Sequence, residues 1–404
     1  MLRTRNLFIV CRFSSSGFRR QERHKEIDFR EHPKRRIAIS FYYYGWAHDG
    51  LQSQKNGATN AVADHLISAL KRANLVEEPA LALLRFSGRT DAGVSAMRQV
   101  ASCIVRSGDP QGEGVFWPEG SSASSVEDYP HRYGELPYVK MLNRNLPPSI
   151  RVLSWAPADV DFHPTHALSR SYKYAMPRAD LDIGKMRMAA DSLIGEHDFR
   201  HFCKIDASRT DASYVRHVKS IDLQIQGDAA DPYSLLVLSI TANGFHYHMV
   251  RYMASVLQFV GRGSEEPEIT SQLLDINKVR ARPNYSITKS DPLLYMGPKY
   301  ETKLDWRQDD DDLSRQLTRL QKDWVQLRMR SQVIENLIGE VKSSLPSEKK
   351  ASCSGLLDGI QEGYRHQYKP IFQLEDCFTL DEKRRRYAEK KIKKSLTNAA
   401  TRGE

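Results

Sequence analysis

This sequence has little that would support a cross-link, a metal cage or a bilayer span. Its 404 residues include five cysteines, Cys11, Cys103, Cys203, Cys353 and Cys377. The number is odd and no two stand in a Cys-x-x-Cys spacing, which argues against a disulfide framework and a cysteine zinc site and fits a reducing compartment. No run approaches the roughly 18 consecutive apolar residues of a membrane span. Acidic residues are absent before Glu22, while Arg3, Arg5, Arg12, Arg19, Arg20 and three consecutive serines crowd the same stretch. An Arg- and Ser-rich start without acids reads as a mitochondrial targeting peptide, and the rival reading is a disordered basic arm that touches RNA.

What is present points to a polyanion. The formal net charge is +10, and eighteen Tyr and fourteen Phe offer faces on which bases can stack. Charge alone leaves room for DNA, an anionic membrane, or a merely basic enzyme. Residues 36–43 alternate as a strand, and residues 61–75 read as a helix capped by Thr59 or Asn60, with Val62, Leu66, Ala69, Leu70 and Ala73 as its buried stripe. Residues 107–135, rich in Gly, Ser, Pro and acids, read as an inserted surface loop. Strands follow at 150–155, 171–176, 215–225 and 233–242, with a helix or turn at 138–145 and helices at 185–193 and 245–260, the last stopped by Gly261-Arg262-Gly263. Strands and helices mix without regular alternation, which predicts an α+β architecture. Beyond residue 300 the composition shifts. Leu317, Leu320, Trp324, Leu327, Val333, Leu337 and Val341 space a long amphipathic helix over 313–345, packed on the core or on a partner. Two basic clusters, 383–386 and 390–394, then read as a solvated face, an RNA-contacting tail or a nuclear address.

The stretch from Arg85 to Ala96 organises the chain. It joins an apolar run to a strand at 99–105 and holds Arg89 and Asp91 between Gly88 and Gly93, as a tight exposed loop would. A carboxylate there can serve as nucleophile, base or metal ligand, and an adjacent arginine can keep it ionised or bind a phosphate. Arg251, among apolar helix residues, needs an anionic partner, for which Asp91 is the candidate. His246 and His248, with His197, His201 and His217 in the neighbourhood, lack a cysteine pair or an HExxH pattern and read as helix or core histidines.

Gly88-Arg89-Thr90-Asp91-Ala92-Gly93-Val94-Ser95-Ala96 closely resembles the catalytic signature of the tRNA pseudouridine synthase I (TruA) family. The resemblance runs from about residue 35 to residue 300. It includes Tyr44-Gly45-Trp46 through Gln54, Arg170-Ser171-Tyr172-Lys173-Tyr174, the run Leu193 to Phe199, and Phe245-His246-Tyr247-His248-Met249-Val250-Arg251. Phe202-Cys203-Lys204-Ile205-Asp206 and Pro283-Asn284-Tyr285-Ser286 look most like the eukaryotic branch that modifies tRNA positions 38 and 39. The resemblance implies an isomerase that breaks the N1–C1′ bond of a uridine, turns the uracil and rejoins it through C5, with neither metal nor redox cofactor. It implies Asp91 as the catalytic carboxylate, acting as nucleophile or as base. Arg89 would hold a phosphate or help flip the base, Tyr172 would stack on it, Arg251 would pair with Asp91, and Leu294 would wall the base pocket; plain core is the other reading of Leu294. Tyr174 is read as packing.

The implied layout is an N-terminal arm (1–33), two α+β domains (34–156 and 157–303), each with an antiparallel sheet flanked by helices and with the sheets joined around the catalytic cleft, and a charged helical extension (304–404). Bacterial relatives are dimeric, so a homodimer is expected unless the extension masks that interface. The expected partner is tRNA, with no membrane. The alternative is a catalytically silent tRNA-binding or chaperone protein of the same fold. Localisation divides between a mitochondrial address at the N-terminus and nucleus or cytoplasm.

Overall fold

The computed structural model describes residues 27–53, 60–120, 129, 134–159, 161–209, 213–346, 355–361 and 368–400. The basic N-terminal stretch, Gln54 and Thr59, and the middle of the 107–135 insertion lie outside these residues. In chain order the strands are β1 (Lys34–Tyr43), β2 (Arg85–Phe86), β3 (Ser95–Arg106), β4 (Val115–Phe116), β5 (Ile150–Pro157), β6 (Ser169–Pro177), β7 (Gly195–Asp198), β8 (Val215–Gln226), β9 (Leu235–Ala242), β10 (Leu293–Lys299) and β11 (Arg307–Gln308). The helices are α1 (Val62–Arg72), α2 (Tyr138–Asn145), α3 (Ile183–Asp191), α4 (Met249–Gly261), α5 (Ile269–Leu274), α6 (Asp310–Ser344), α7 (Gly355–Asp358) and α8 (Leu380–Ala400).

All eleven strands belong to one sheet, ordered β11-β5-β1-β3-β10-β6-β9-β8-β7, with β2 on β3 and β4 on β1 off that path. The α+β class is as expected and the sheets join into a single continuous one, which departs from the expected antiparallel pairing at one parallel pair, β10 with β3. Its seam is β10, which runs parallel to β3 through Leu294–Ser95 and antiparallel to β6 through Tyr295–Tyr172. A strand from late in the chain therefore stitches the strand that follows the Asp91 loop to the strand carrying the tyrosine motif. β1 is buried on both faces. Ile37, Ile39 and Phe41 enter the main core, while Ala38 packs in a second cluster with Val100 and Ala158, backed by Phe162, Tyr300 and Leu304.

Three local expectations change. α1 takes its N-cap at Ala61 without a side-chain cap, because the Asn60 side chain is committed elsewhere, donating to the Ala47 carbonyl (2.6 Å) and meeting His65. α4 starts at Met249, not at residue 245, because His248 is left-handed (φ 66°) and ends the approach to the helix. Every residue of α4 is buried, so its polar members need internal partners. Gln258 finds them in the extension, donating to the Leu357 carbonyl and accepting from Gln361 at 2.8 Å.

The third change concerns α6. The long helix forms, but its apolar stripe does not pack on the core: Leu317, Trp324, Leu327, Val333, Leu337 and Val341 are 57–66% exposed. The buried residues of α6 are Asp312 and Gln316. Asp312 accepts from Asn143 on α2 (2.6 Å), from Gln316 (3.2 Å) and from Arg315 (3.1 Å), and Gln316 accepts from the Tyr42 hydroxyl (3.0 Å). A polar clasp, rather than the hydrophobic seam read from the spacing, attaches the helix. Removing one partner of a buried network leaves the others desolvated and unmatched. Asp312→Ala should therefore cost about 1–3 kcal/mol in urea unfolding, and a loss of only a few tenths of a kcal/mol would mean the clasp is not what holds α6.

Candidate active site

The loop of residues 87–94 connects β2 to β3 and carries Arg89 and Asp91. Close backbone approaches shape it. A Cβ on Gly45 would overlap the Val94 carbonyl, so the chain can pass there only as glycine. Gly93 has φ +84°, and a Cβ on it would meet Ser290 Oγ at 2.5 Å. Gly88, the other glycine of the motif, has ordinary room around it. The loop is thus set by Gly93 and the distant Gly45 rather than by the flanking pair. Hydrogen bonds fix it: Tyr43 Oη to Thr90 Oγ1 (2.6 Å, buried), Leu51 N to the Thr90 carbonyl (3.2 Å), and Gln99 Nε2 to the Gly88 carbonyl (3.0 Å). Arg170 ties it across the seam, donating from Nε to the Ser87 carbonyl (3.0 Å) and from Nη1 to the Asn243 carbonyl (3.1 Å).

Asp91 sits partly exposed at the centre of this arrangement. Arg251, on the first turn of α4 and 3% exposed, brings Nη1 to 3.8 Å from Asp91 Oδ2. Its Nε donates to the Thr288 carbonyl (2.7 Å), and the Thr288 hydroxyl donates back to the Arg251 carbonyl (3.0 Å). The anionic partner expected for Arg251 is therefore Asp91, and Thr288 steers the guanidinium. His248 lies closer still, with Nε2 3.4 Å from Asp91 Oδ2. Burial, reinforced by the Arg251, Lys204 and Arg282 cations, pushes its pKa down to about 4. The imidazole is neutral near pH 7 and meets the carboxylate as an uncharged ring.

Tyr172 stands on β6 opposite Tyr295 of β10, its ring 5.0 Å from that of Tyr295 and 5.1 Å from that of Phe245. It is 8% exposed, and burial first, then nearby Tyr295, Tyr43 and Asp91, drives its pKa well above the ordinary range. Tyr174 is wholly buried and donates to the Lys289 carbonyl. Leu294 is half-buried, opposite Ser95 at the foot of the Asp91 loop. Arg89 is exposed at the loop tip, and its charge reaches Asp206, whose pKa is lowered mainly by Ser208 and in smaller part by Arg209 and Arg89. His248 and Arg251 thus meet the Asp91 carboxylate directly, and Tyr172 lies within its electrostatic reach.

Sequence reasoning missed two members. His248 reads from the sequence as a helix or core histidine. The signal available was its position three residues before Arg251, yet the left-handed backbone that turns it toward Asp91 is invisible in one dimension. Thr288 carries no signal at all. His201 and His197 are engaged with the Leu273 and Ile194 carbonyls, and among the described residues no group of three or more His, Cys, Asp and Glu is arranged to hold a metal ion.

Known proteins resemble this chain in sequence. The tRNA pseudouridine synthase family profile matches residues 189–301. A probable tRNA pseudouridine synthase of Caenorhabditis elegans is 38% identical over 91% of this chain and 93% of its own length. The chain belongs to the tRNA pseudouridine synthase family. It is, on that footing, an isomerase acting on tRNA. The tRNA pseudouridine(38/39) synthase of Homo sapiens is 34% identical over 78% of this chain and 65% of its own length. The tRNA pseudouridine synthase A of Methanosarcina mazei is 29% identical over 75% of this chain and 98% of its own length. The Asp91 loop falls outside the profile match, so in this synthase its geometry is an independent observation.

His246 shares the fate of His248, with burial and then Arg216 pushing its pKa down to about 4. An imidazole of ordinary pKa, about 6.5, binds protons more readily in the unfolded chain. Both histidines therefore contribute stability above pH 6.5 that is lost as pH falls toward 4. Thermal melting should show Tm dropping across that window, and the drop should shrink when His246→Gln and His248→Gln are combined. An undiminished drop would place the titration elsewhere.

Proposed function

We propose that this synthase converts uridine to pseudouridine at position 38 or 39 in the anticodon arm of tRNA, with Asp91 as the catalytic carboxylate. The observation that carries the reading is the setting of Asp91. It is a partly open carboxylate on a rigid loop, faced by a buried guanidinium and a neutral imidazole and backed by Tyr172. The names of the human and yeast relatives, both tRNA pseudouridine(38/39) synthases, support the choice of position.

The chemistry follows from the arrangement. A carboxylate paired with Arg251 is favoured in its charged form, the form needed for attack on the ribose or for removal of a ribose proton. Either route releases the uracil from C1′ by breaking the N1–C1′ bond. The base then turns until C5 faces C1′; the C5–C1′ bond forms as the carboxylate leaves C1′ or as the removed proton returns to the ribose, and C5 gives up its proton while N1 takes one. Nothing is oxidised or reduced. The uridine must leave its stack to reach Asp91. Arg89, exposed beside the carboxylate, suits a phosphate flanking the extruded nucleotide, and the Tyr172 edge suits contact with the base. Leu294, at the seam, closes the apolar side. His248 holds the carboxylate in its rotamer without competing for the charge on Arg251.

Asp91→Asn keeps size and shape while removing the charge. Incubated with an unmodified tRNA transcript, the wild-type chain should give a carbodiimide-detectable pseudouridine in the anticodon arm. The variant should lose turnover by at least about a thousandfold while tRNA binding stays within a few-fold. Retained turnover in Asp91→Asn would end the assignment of Asp91, and binding without turnover in the wild type would favour a silent tRNA-binding protein.

A further inference from the structure

The C-terminal helix α8 is charged far beyond what its own packing uses. Between residues 381 and 394 it carries Lys383, Arg384, Arg385, Arg386, Lys390, Lys391, Lys393 and Lys394 against Asp381, Glu382 and Glu389. Arg386, Lys390, Lys393 and Lys394 lie at intervals that bring them onto one face. Among the described residues the ion pair formed within the helix is Arg385 with Glu389, at 3.9 Å and well exposed. Like charges three and four residues apart each destabilise a helix by a few tenths of a kcal/mol. Cations in the first turns also oppose the macrodipole. The helix alone gains nothing from this pattern, and a polyanion would reverse its sign.

The root of α8 is fixed beside the active site. The strand-like segment before it runs along residues 282–284. Cys377 N donates to the Arg282 carbonyl (2.8 Å), Asn284 N donates to the Glu375 carbonyl (2.9 Å), and Pro283 and Asp376 form an antiparallel bridge. The Arg282 guanidinium lies 4.4 Å over the Tyr252 ring, and Tyr252 neighbours His248, the residue on Asp91. Thr379 and Glu382 close a reciprocal cap on the first turn, with Thr379 N donating to Glu382 Oε2 (2.8 Å) and Glu382 N to Thr379 Oγ1 (3.3 Å). The Arg386 guanidinium rests 3.5 Å over the Phe378 ring. From Arg385 to Thr397 the helix is exposed, Ile392 and Leu396 included. Its 21 residues extend about 30 Å from that root.

We infer that the Arg386–Lys390–Lys393–Lys394 face of α8 is a tRNA-docking surface that grips the phosphate backbone of the substrate whose target nucleotide lies at Asp91. This rests on the proposed reaction for the identity of the RNA, and on the anchoring and charge of α8 for the surface. Docking through phosphates positions the RNA without reading its sequence. It therefore affects capture of the substrate and not the chemical step.

The test replaces Arg386, Lys390, Lys393 and Lys394 together by Gln in the full chain, beside a charge-preserving variant carrying R386K, K390R, K393R and K394R. Filter binding of a full-length unmodified tRNA transcript is measured across a salt series, and pseudouridine formation is measured separately. Four lost phosphate contacts should reduce the slope of log K against log salt by about three and weaken binding at physiological salt at least about tenfold. KM should rise with kcat unchanged, the charge-preserving variant should match wild type, and both variants should melt at the wild-type Tm. An unchanged slope and Kd in the Gln variant would overturn the inference and leave α8 a solvated face or a protein-docking helix. Wild-type binding without pseudouridine would fail the reaction instead, with the salt slope of the Gln variant still deciding the surface.

Discussion

A buried arginine organises the functional half of this protein. Arg251 sits in a helix whose every residue is covered, where an unpaired guanidinium would be expensive to hold. The Thr288 carbonyl takes one of its donors and Asp91 lies against another. This requirement fixes α4 against the segment before β10, and it brings the Asp91 loop, from a part of the chain far earlier in sequence, to the start of α4. β10 performs the same union in the backbone by pairing with β3 and β6 at once. The continuity of the sheet and the charge balance of the site are two aspects of one constraint.

The backbone around Asp91 departs from easy conformations where the site needs it. His248 occupies the left-handed region, which costs a non-glycine residue of order 1–3 kcal/mol in the general case and persists only when the surroundings enforce it. Here Met249 N bonds to the His246 carbonyl, Lys204 N bonds to the Tyr247 carbonyl, and the Tyr247 ring packs 3.9 Å from the imidazole. The result is a neutral ring 3.4 Å from the carboxylate, which adds no charge to the one supplied by Arg251.

The extension beyond residue 304 is integrated with the body in three different ways. α6 is clasped by Asp312 and Gln316, residues that a hydrophobic reading assigns to solvent. Leu357 and Ile371 are fully buried and close the outer side of α4. α8 is anchored at its root and first turns, and from Arg385 to Thr397 its residues are exposed.

The sequence by itself determined most of the element types and the family, and it singled out Asp91 as the candidate carboxylate. Those depend on local periodicity and on a loop motif whose members are contiguous, such as Gly88 to Ala96. It also pointed to Arg251, because a cation amid apolar helix residues demands an anion wherever the fold provides one. Tertiary structure alone decided that β10 is the strand joining the sheets, that α4 begins at Met249, that Thr288 steers Arg251, and that α6 attaches through polar atoms with its apolar stripe in solvent. The physical reason is common to all four. Each depends on a contact between residues far apart in the chain, Leu294 with Ser95, His248 with Asp91, Arg251 with Thr288, Asp312 with Asn143, and single-chain periodicity carries no information about which distant group will satisfy a buried donor or complete a ladder.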